Sequence, residues 1–526
     1  MRKINIYDST LRDGAQGENV NFSVMDKINI VKALDELGVD FIEAGNPFSS
    51  PKDVEFFQKA TSLTLESSRL VAFGSTRRAN TDVFEDASVQ AMKNCPVEYV
   101  AVFGKAWDLH VFDVLKTTAE ENLRMIFDTI KYLTDSGKKV FFDAEHFFDG
   151  YKANPDYAIE VVKTAQKAGA IEAVLCDTNG GCFPDEIEKI VSAASKALDI
   201  PLGIHCHNDT DCAVANSIAA VLSGARSVQG TLNGIGERCG NTCLSSVIAN
   251  LSLKRGYETI PQENLKELTR VSRCVCELSN LHMTDSTPYV GKSAFAHKGG
   301  MHVDGVLKLT SSFEHISPES VGNERQFLLS EVAGRQAVLS KLKLFAPEIT
   351  KDSEEVSAII EMLKIQEHRG YQYEGAAASF ELLVHKFLGN FKEFFTIDFF
   401  KIIGEQNTNQ SLPSTAMIKV RVGSHTALAA EEGNGPVNAL DKALKIALQN
   451  FYPDIFENIS LTDYKVRVVD TSSGTAATVR VLIETTDGVD SWTTVGASPD
   501  VINASMKALT DSVEYKLLKS GIHLNQ

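Results

Sequence analysis

The sequence predicts an α/β protein that begins with a closed (β/α)8 barrel and ends with a duplicated α+β module. Its first half alternates short runs rich in β-branched residues with longer helical patterns, which is typical of a parallel sheet. Eight such pairs match a barrel. No glycine-rich dinucleotide turn follows the first strand, which disfavours the alternative of a doubly wound sheet. After residue 376 the pattern changes to alternating strands, and one βββα pattern occurs twice.

The predicted barrel consists of eight strands, each followed by a helical stretch. The strands are Lys3–Asp8, Asp40–Glu43, Leu70–Ser75, Glu98–Phe103, Lys139–Ala144, Ala173–Asp177, Pro201–His205 and Ser227–Gly230. The first helix covers Ser23–Leu37, because Ser23 is a suitable N-cap and Gly38 can end the helix. We therefore assign residues 1–265 to a barrel domain.

The rest of the chain divides into two predicted regions. Residues 266–375 mix helical patterns with glycines and are expected to form helical linker subdomains. Residues 376–526 form the predicted C-terminal α+β domain, in which Phe394–Phe451 and Leu461–Leu518 each contain three strands and a helix. The segment Val437–Leu444 is echoed 65 residues later by Ile502–Leu509. Such a duplication predicts a pseudo-symmetric module, and its lack of a catalytic cluster favours regulation or dimerisation.

The overall charge and the cysteines limit the classes of partner. The chain has 526 residues and a formal charge of −17, which argues against nucleic acid or an anionic membrane surface as a partner. No run approaches the roughly 18 apolar residues of a membrane span, and Met1–Asp8 lacks a signal-peptide segment. The nine cysteines lie between Cys95 and Cys276 without a paired framework, which favours a reducing cytoplasm.

Two histidines one residue apart, His205 and His207, end the seventh predicted strand. Side chains two positions apart point to the same side of a strand, so both imidazoles can bind one metal ion, whereas Cys206 should pack on the other side. Asp13, after the first strand, and Asn241 can complete the ligand set. This mixture of oxygen and nitrogen ligands suits Mg²⁺, Mn²⁺ or Zn²⁺ without distinguishing them. The alternative is a pair of hydrogen-bonded core histidines.

Other polar residues fall at the same predicted end of the barrel. Active sites of such barrels lie at the carboxyl ends of the strands, and the residues at these ends include Arg12, Glu43, Glu145 and Thr178. A 2-oxo acid can chelate a metal through its carboxylate and carbonyl oxygens, and Arg12 offers a planar fork for the carboxylate. The alternatives are a local ion pair between Arg12 and Asp13 and an ordinary turn at Thr178.

Several motifs together resemble a known family of barrel enzymes. They are Asp8–Gln16 (DSTLRDGAQ), Asp143–Lys152 (DAEHFFDGYK), Cys176–Gly181 (CDTNGG), His205–Asn208 (HCHN), Asn233–Asn241 (NGIGERCGN) and Phe295–Val303 (FAHKGGMHV). Essentially the whole chain is similar to the 2-isopropylmalate, citramalate and homocitrate synthases, which are TIM barrels of the Asp-Arg-Glu metallolyase superfamily. The second, third and last motifs resemble the citramalate synthase branch in particular.

The resemblance implies a Claisen-type condensation of acetyl-CoA with a 2-oxo acid, which is pyruvate in the citramalate branch and serves isoleucine biosynthesis. The implied ligands of a divalent metal are Asp13, His205, His207 and Asn241, and the implied residues at the 2-oxo acid are Arg12, Gln16 and Thr178. Arg12, Glu145 and His302 are the implied catalytic residues. His302 would reach the site from the partner subunit of a homodimer, and either Glu145 or His302 could be the general base.

The C-terminal repeat resembles the allosteric domain of the same family. The resemblance includes Glu432–Pro436 (EGNGP) and Ser473–Ala477 (SGTAA), in which the implied allosteric residues are Gly433, Gly435, Gly474 and Ala476. The implied effector is an amino acid, isoleucine or leucine.

The sequence departs from the citramalate branch at two places. Ala44–Ser50 (AGNPFSS) replaces a segment that usually begins Gly-Gly-Trp-Pro, and its Ala-Gly is closer to 2-isopropylmalate synthases. Phe313 stands where the family usually has a tyrosine that reaches the active site. The alternatives are therefore a 2-isopropylmalate synthase acting on 2-oxoisovalerate or a catalytically weak homologue that senses an amino acid. An acyl-CoA lyase is disfavoured because the sequence lacks a Gly-Gly-Cys-Pro loop.

Overall fold

Eight parallel strands close into a barrel in the order of the chain, with the first strand paired to the eighth. The strands are β1 (Asn5–Asp8), β2 (Phe41–Gly45), β3 (Arg69–Ser75), β4 (Tyr99–Lys105), β5 (Lys139–Glu145), β6 (Glu172–Asp177), β7 (Leu202–Cys206) and β8 (Ser227–Gly230). The predicted barrel is confirmed, and each strand begins and ends within two residues of its predicted bounds.

This computed structural model describes residues 2–281, 283–328, 335–342, 345–347, 349–350, 353–373, 375–407, 410–453, 455–456, 459–469 and 477–521. The chain separates into a barrel unit, residues 1–295 with 314–325, and a second unit, residues 296–313 with 326–526. The domain boundaries that we place at residues 265 and 375 stay predictions.

Helices follow the strands of the barrel unit, and the first of them begins and ends at the residues expected from the sequence. They are α1 (Val24–Leu37), α2 (Pro51–Ala60), α3 (Ala87–Asn94), α4 (Ala119–Asp135), α5 (Phe147–Ala153), α6 (Pro155–Ala168), α7 (Pro184–Ala197), α8 (Ala213–Leu222), α9 (Leu244–Ala249) and α10 (Leu268–Leu278). Ser23 caps α1 in a capping box with Asp26, and Gly38 ends it with a φ of +91°. Shorter 3₁₀ turns occupy Gly14–Gln16, Gln262–Glu267 and Pro318–Val321, and π-helical turns occupy His110–Val114 and Asn250–Lys254.

Aromatic rings fill the barrel towards the amino ends of its strands. Tyr7 and Phe141 pack edge to face with ring centroids 5.4 Å apart, and Phe41 lies 4.9 Å from Phe141. Cys206 is fully buried in the apolar core on the other side of the strand from the two histidines, as predicted. Because the rings occupy the barrel interior near the amino ends of the strands, the room for a ligand lies at the carboxyl ends of the strands.

Within its described residues, the second unit contains four helices followed by the two predicted βββα repeats, each of which adds one more helix. Its first elements are β9 (Ala296–His297), α11 (Gly300–Lys308), a 3₁₀ turn at Thr310–Ser312, β10 (Gln326–Phe327), α12 (Arg335–Leu342), α13 (Glu354–His368) and α14 (Ala377–Phe387). The first repeat contains β11 (Thr396–Asn407), β12 (Gln410–Val422), β13 (His425–Gly433) and α15 (Pro436–Gln449). The second contains β14 (Ser460–Val468), β15 (Val479–Thr486), β16 (Ser491–Ser498) and α16 (Val501–Lys519). Each repeat forms an antiparallel three-stranded sheet, so the predicted duplication is confirmed.

Glycine has a packing role at the end of β13. A Cβ atom on Gly433 would lie 2.4 Å from the backbone nitrogen of Ala439, so only glycine allows α15 to approach the strand this closely. Gly435 is the N-cap of α15. Gly474 and Ala476 lie outside the described residues. The allosteric roles of all four residues stay predictions.

Among the described helices, none has both the length and the apolar character needed to cross a bilayer.

Candidate active site

The predicted metal ligands converge at the carboxyl end of the barrel. Asp13 lies in the turn after β1, His205 lies in β7, and His207 follows β7 in a bridge with Asn241. A carboxylate oxygen of Asp13 and one ring nitrogen from each histidine lie within 4.8 Å of one another. All four residues are buried. The strand geometry that predicted this cluster is therefore realised.

Each of the four residues has one ligand atom that is buried and unpartnered. These atoms are Asp13 Oδ1, His205 Nδ1, His207 Nδ1 and Asn241 Oδ1, none of which finds a hydrogen-bond partner among the described residues. An unpartnered buried polar atom costs about 1–3 kcal/mol, so four in one place need an explanation. Two oxygens and two imidazole nitrogens fit a divalent cation, and they do not fit the alternative of mutually hydrogen-bonded histidines.

The electrostatics put these groups in the protonation states that a metal requires. Burial lowers the pKa of His205 to about 3 and also lowers the pKa of His207, which keeps both rings neutral. Burial alone would raise the pKa of Asp13, but the positive charge of Arg12 outweighs it and lowers this pKa to about 2. Neutral imidazoles and an ionised carboxylate are the forms that bind metals.

Arg12 is held in place beside the cluster. Its Nη1 lies 3.0 Å from Asp13 Oδ2, its Nε donates to Glu43 Oε2 at 2.5 Å, and its guanidinium lies 3.8 Å from the ring centroid of Phe73. The local ion pair of Arg12 and Asp13 is thus present, but it is part of a larger arrangement. The planar guanidinium keeps further N–H groups for a carboxylate in the cavity.

Glu43 organises this part of the site from inside the barrel wall. Its fully buried carboxylate accepts hydrogen bonds from the hydroxyls of Tyr7, at 2.9 Å, and Ser9, at 2.5 Å, besides the one from Arg12. The sequence predicts only that Glu43 lies at a strand end and gives it no role. The signal that could have revealed the role is an acidic residue in an otherwise apolar strand, since such a residue needs partners.

Glu145 and Thr178 stand at the ends of the neighbouring strands β5 and β6. The carboxylate of Glu145 pairs with the ammonium of Lys105 at the end of β4. The hydroxyl oxygen of Thr178 accepts a hydrogen bond from the backbone N–H of His146 at 2.8 Å. The sequence does not predict a site role for Lys105, because no local pattern links it to Glu145, which lies forty positions later in the chain.

These side chains line one cavity of about 240 Å³. Its lining includes Arg12, Asp13, Gln16, Glu145, Thr178, His205 and His207 from the predicted set, and also Phe73, Phe103, Asp143, Cys176, Glu237 and Arg238. Phe73 and Phe103 stack at 5.2 Å and form an apolar wall. Burial and the nearby Glu43 raise the pKa of Asp143 to about 8, so this carboxyl is mainly neutral at pH 7.

The loop Asn233–Asn241 brings Asn241 next to His207 in the group of possible metal ligands. Gly240 has a φ of +90°, and a Cβ atom there would lie 2.0 Å from the carbonyl oxygen of Gly234, so the tight turn requires glycine. Arg238 donates to the carbonyl of Thr178 at 2.8 Å and to Asp209 at 2.8 Å. The loop is therefore fastened to the ends of β6 and β7.

His302 lies in the second unit, in α11. Its exposed imidazole stacks on Phe313 with ring centroids 4.3 Å apart. Phe313 is itself 45% exposed, and its ring edge contacts Gly305. The catalytic role predicted for His302 stays a prediction, as do the roles of the other site residues.

Comparison with known proteins covers nearly the whole chain. A family described as HMGL-like matches residues 3–275, a homocitrate synthase post-HMGL domain-like family matches 289–370, and the LeuA allosteric (dimerisation) domain matches 374–517. An (R)-citramalate synthase of Aquifex aeolicus is 50% identical over 98% of both chains. One of Geobacter sulfurreducens is 48% identical over 99% of this chain and 98% of its own. A probable 2-isopropylmalate synthase of Methanopyrus kandleri is 33% identical over 97% of this chain and 98% of its own.

The barrel and its cluster of oxygen and nitrogen ligands define the broad class, an HMGL-like barrel protein with a possible metal site. More narrowly, the chain belongs to the 2-isopropylmalate and homocitrate synthase family, which includes the (R)-citramalate synthases. The family predicted from the motifs is confirmed.

Proposed function

We propose that this chain is an (R)-citramalate synthase that joins acetyl-CoA to pyruvate and hydrolyses the thioester, releasing citramalate and CoA. The observation that carries the proposal is identity of 50% and 48% to two (R)-citramalate synthases over nearly the full length, against 33% to the 2-isopropylmalate synthase. The small cavity beside Arg12 suits a small 2-oxo acid. In this proposal the product enters isoleucine biosynthesis in the cytoplasm.

The residues of the cavity can bind and orient the 2-oxo acid. Arg12, fixed by Glu43, would hold the substrate carboxylate, with Thr178 and Gln16 beside it. Asp13, His205, His207 and Asn241 would hold a divalent ion, Mg²⁺, Mn²⁺ or Zn²⁺, and that ion would supply Lewis-acid polarisation of the ketone when bound. The apolar wall of Phe73 and Phe103 would exclude water from the methyl side of pyruvate.

The condensation needs a base that removes a proton from the acetyl methyl group. Glu145 is a candidate because its carboxylate lies in the cavity and is paired with Lys105. His302 is the second candidate, by family resemblance. The carbanion that forms attacks the ketone carbon of the 2-oxo acid, the electron pair of the C=O bond moves onto its oxygen, and this oxygen takes up a proton to become the hydroxyl of the product. Water then adds to the thioester carbonyl and CoA leaves as its thiol, which gives the free carboxylic acid.

A substrate comparison tests the proposal. We expect kcat/KM for pyruvate to exceed that for 2-oxoisovalerate by about tenfold or more, since the side chain of 2-oxoisovalerate is two carbons larger and a single methylene already changes transition-state binding by about 1–3 kcal/mol. The measurement is CoA thiol release with each acid at saturating acetyl-CoA. A preference for 2-oxoisovalerate would instead assign a 2-isopropylmalate synthase, which Ala44 and Gly45 favour.

We also propose that the C-terminal domain binds an amino-acid effector, isoleucine or leucine, and that the protein is a homodimer. Support comes from the match to the LeuA allosteric (dimerisation) domain over residues 374–517. A cavity of about 700 Å³ in the second unit combines apolar Ile397, Phe399 and Met506 with charged Lys507 and Asp511, which suits a zwitterion with a branched side chain.

An effector titration checks this part of the proposal. We expect millimolar or lower isoleucine or leucine to inhibit CoA release by the full chain, because the effector would shift a conformational equilibrium. Met506→Trp, which adds bulk to the lining of the cavity, should abolish inhibition and leave turnover without effector unchanged. Inhibition of Met506→Trp at the wild-type effector concentration would place the effector elsewhere.

A further inference from the structure

His146 has an unusual backbone conformation next to the candidate base. It follows Glu145 directly and has a φ of +56°, in the left-handed region that is sterically unfavourable for a non-glycine residue. In this conformation its backbone N–H donates to the hydroxyl oxygen of Thr178 at 2.8 Å. The turn at the end of β5 is therefore shaped to meet the end of β6.

The side chain of His146 is anchored so that the turn keeps this shape. Its Nδ1 lies 3.1 Å from Asp149 Oδ2, and since the carboxylate can only accept, Nδ1 carries the proton. The same oxygen of Asp149 accepts from Asn179 Nδ2 at 3.0 Å. The imidazole also packs against His110, with ring centroids 4.2 Å apart. A closed ring of interactions therefore joins the end of β5 to the end of β6. Its hydrogen bonds link His146 to Thr178 and Asp149, and Asp149 to Asn179. The ring closes because Thr178 and Asn179 are consecutive in the chain.

This ring determines which way the Thr178 hydroxyl points. Its oxygen already accepts the N–H of His146, so its own proton must be directed to another acceptor. Thr178 lines the same cavity as Arg12, where an anion is expected. A hydroxyl donor and a guanidinium facing one cavity match the two oxygens of a carboxylate.

We propose that Asp149 and His146 are positioning residues that fix the Thr178 hydroxyl as a donor to the carboxylate of the 2-oxo acid. This inference rests on the proposed function, because it names the acid as the ligand. Asp149 acts through His146 and touches no substrate itself. Removing Asp149 should therefore weaken binding of the 2-oxo acid selectively and leave acetyl-CoA binding unaffected.

The test compares Michaelis constants for the two substrates in the full chain. We expect Asp149→Ala to raise KM for pyruvate about tenfold, the effect of a weakened hydrogen bond to a charged group, with KM for acetyl-CoA within about twofold of wild type. Asp149→Asn should restore a pyruvate KM within about threefold of wild type, because its amide oxygen can accept from His146 Nδ1. Asp156→Ala, which removes an exposed carboxylate from α6, is the matched control and should resemble wild type.

A double-mutant cycle separates positioning from general damage to the fold. Thr178→Val alone should raise KM for pyruvate, and adding Asp149→Ala should raise it by less than about twofold more, because the hydroxyl is already gone. An equal rise in both backgrounds, or an unchanged KM in Asp149→Ala, overturns the inference. If Asp149→Ala fails to fold, Asn179→Ala replaces it in the cycle, with an expected rise of about threefold.

The wild-type reaction distinguishes this inference from the proposed function. Wild-type turnover of pyruvate with no coupling in the cycle overturns the positioning role alone. Wild-type turnover of 2-oxoisovalerate instead of pyruvate overturns the proposed function, and the cycle is then measured with that acid, where coupling supports the positioning role and independence overturns it.

Discussion

Two sets of buried polar groups, one at each end of the barrel, differ in whether their hydrogen bonds are satisfied. At the carboxyl ends, Asp13, His205, His207 and Asn241 each keep a buried atom without a partner among the described residues. Towards the amino ends, the buried carboxylate of Glu172 accepts from the hydroxyl of Ser227. Satisfied polar groups support the fold, whereas unpartnered ones lower stability unless a ligand completes them. We call the carboxyl ends of the strands the upper end of the barrel and the amino ends the lower end. Substitutions at the upper end should therefore change activity more than stability, and substitutions at the lower end should change stability more than activity.

The largest effect is expected for His207→Ala at the upper end. Losing one of the metal ligands should reduce kcat/KM for pyruvate by about a thousandfold or more, because the metal would polarise the ketone. Adding Mn²⁺ should raise the Tm of wild type by mass action and should not raise that of the variant. Enzyme assays with titrated Mn²⁺ and thermal melts provide both readouts.

The stability of the metal-free His207→Ala protein shows directly whether this histidine serves metal binding rather than the fold. The variant should melt no lower than metal-free wild type, because the replaced ring has an unpartnered buried nitrogen. His425→Ala, which removes an exposed imidazole from β13, serves as the matched control for the loss of a histidine. Metal-dependent turnover in His207→Ala at the wild-type rate would show that this cluster is not the active site.

Arg12→Lys should have the next largest effect. Lysine keeps the positive charge, but it cannot bind Glu43, Asp13 and a substrate carboxylate with one rigid planar group. We expect kcat/KM for pyruvate to fall about a hundredfold, which corresponds to roughly 2.7 kcal/mol of lost transition-state binding. Steady-state kinetics with pyruvate as the varied substrate provide the measurement.

An exposed arginine gives a matched control for the charge-conserving change. Arg124→Lys alters a side chain that is 69% exposed on α4 and should leave kcat/KM within about twofold of wild type, since exposed ion pairs contribute little. If Arg12→Lys were equally mild, Arg12 would be acting only as a charge neutralising Asp13 and Glu43.

The barrel and the convergence of Asp13, His205 and His207 could be predicted because they depend on regular periodicities. Buried parallel strands are short runs of β-branched residues, and side chains two apart share a face, which places His205 beside His207. The carboxyl-end rule then places Asp13 in the same region although it is nearly two hundred positions away in the sequence. Both inferences need only the backbone geometry of a barrel.

The connections that orient the site could not be predicted in the same way. The contacts of Glu43 with Tyr7 and Arg12 depend on which rotamers meet across neighbouring strands, and the pair of Lys105 with Glu145 depends on strand register. The left-handed backbone of His146 could not be predicted, because only a few per cent of non-glycine residues adopt it, and a histidine in a sequence does not reveal which conformation it takes. Periodicity thus predicts where the residues lie, and only side-chain packing determines how they are held.

The smallest effect is expected for Glu172→Gln at the lower end, and its pH dependence is the informative part. Glu172 is 4% exposed, and burial raises its pKa to about 7 from an ordinary value of 4.5. Between these two values the folded state holds a proton that the unfolded state has lost, so the stability of wild type falls as pH rises through this window.

Glutamine is neutral throughout and can still accept from Ser227 through its amide oxygen. The Tm of Glu172→Gln should therefore match wild type near pH 5 and exceed it by a few degrees at pH 8, reflecting about 1–3 kcal/mol. Glu188→Gln on the exposed face of α7 should show no such trend. A Tm difference that stays constant from pH 5 to pH 8, or a large loss of turnover in Glu172→Gln, would mean that the lower end contributes more than support.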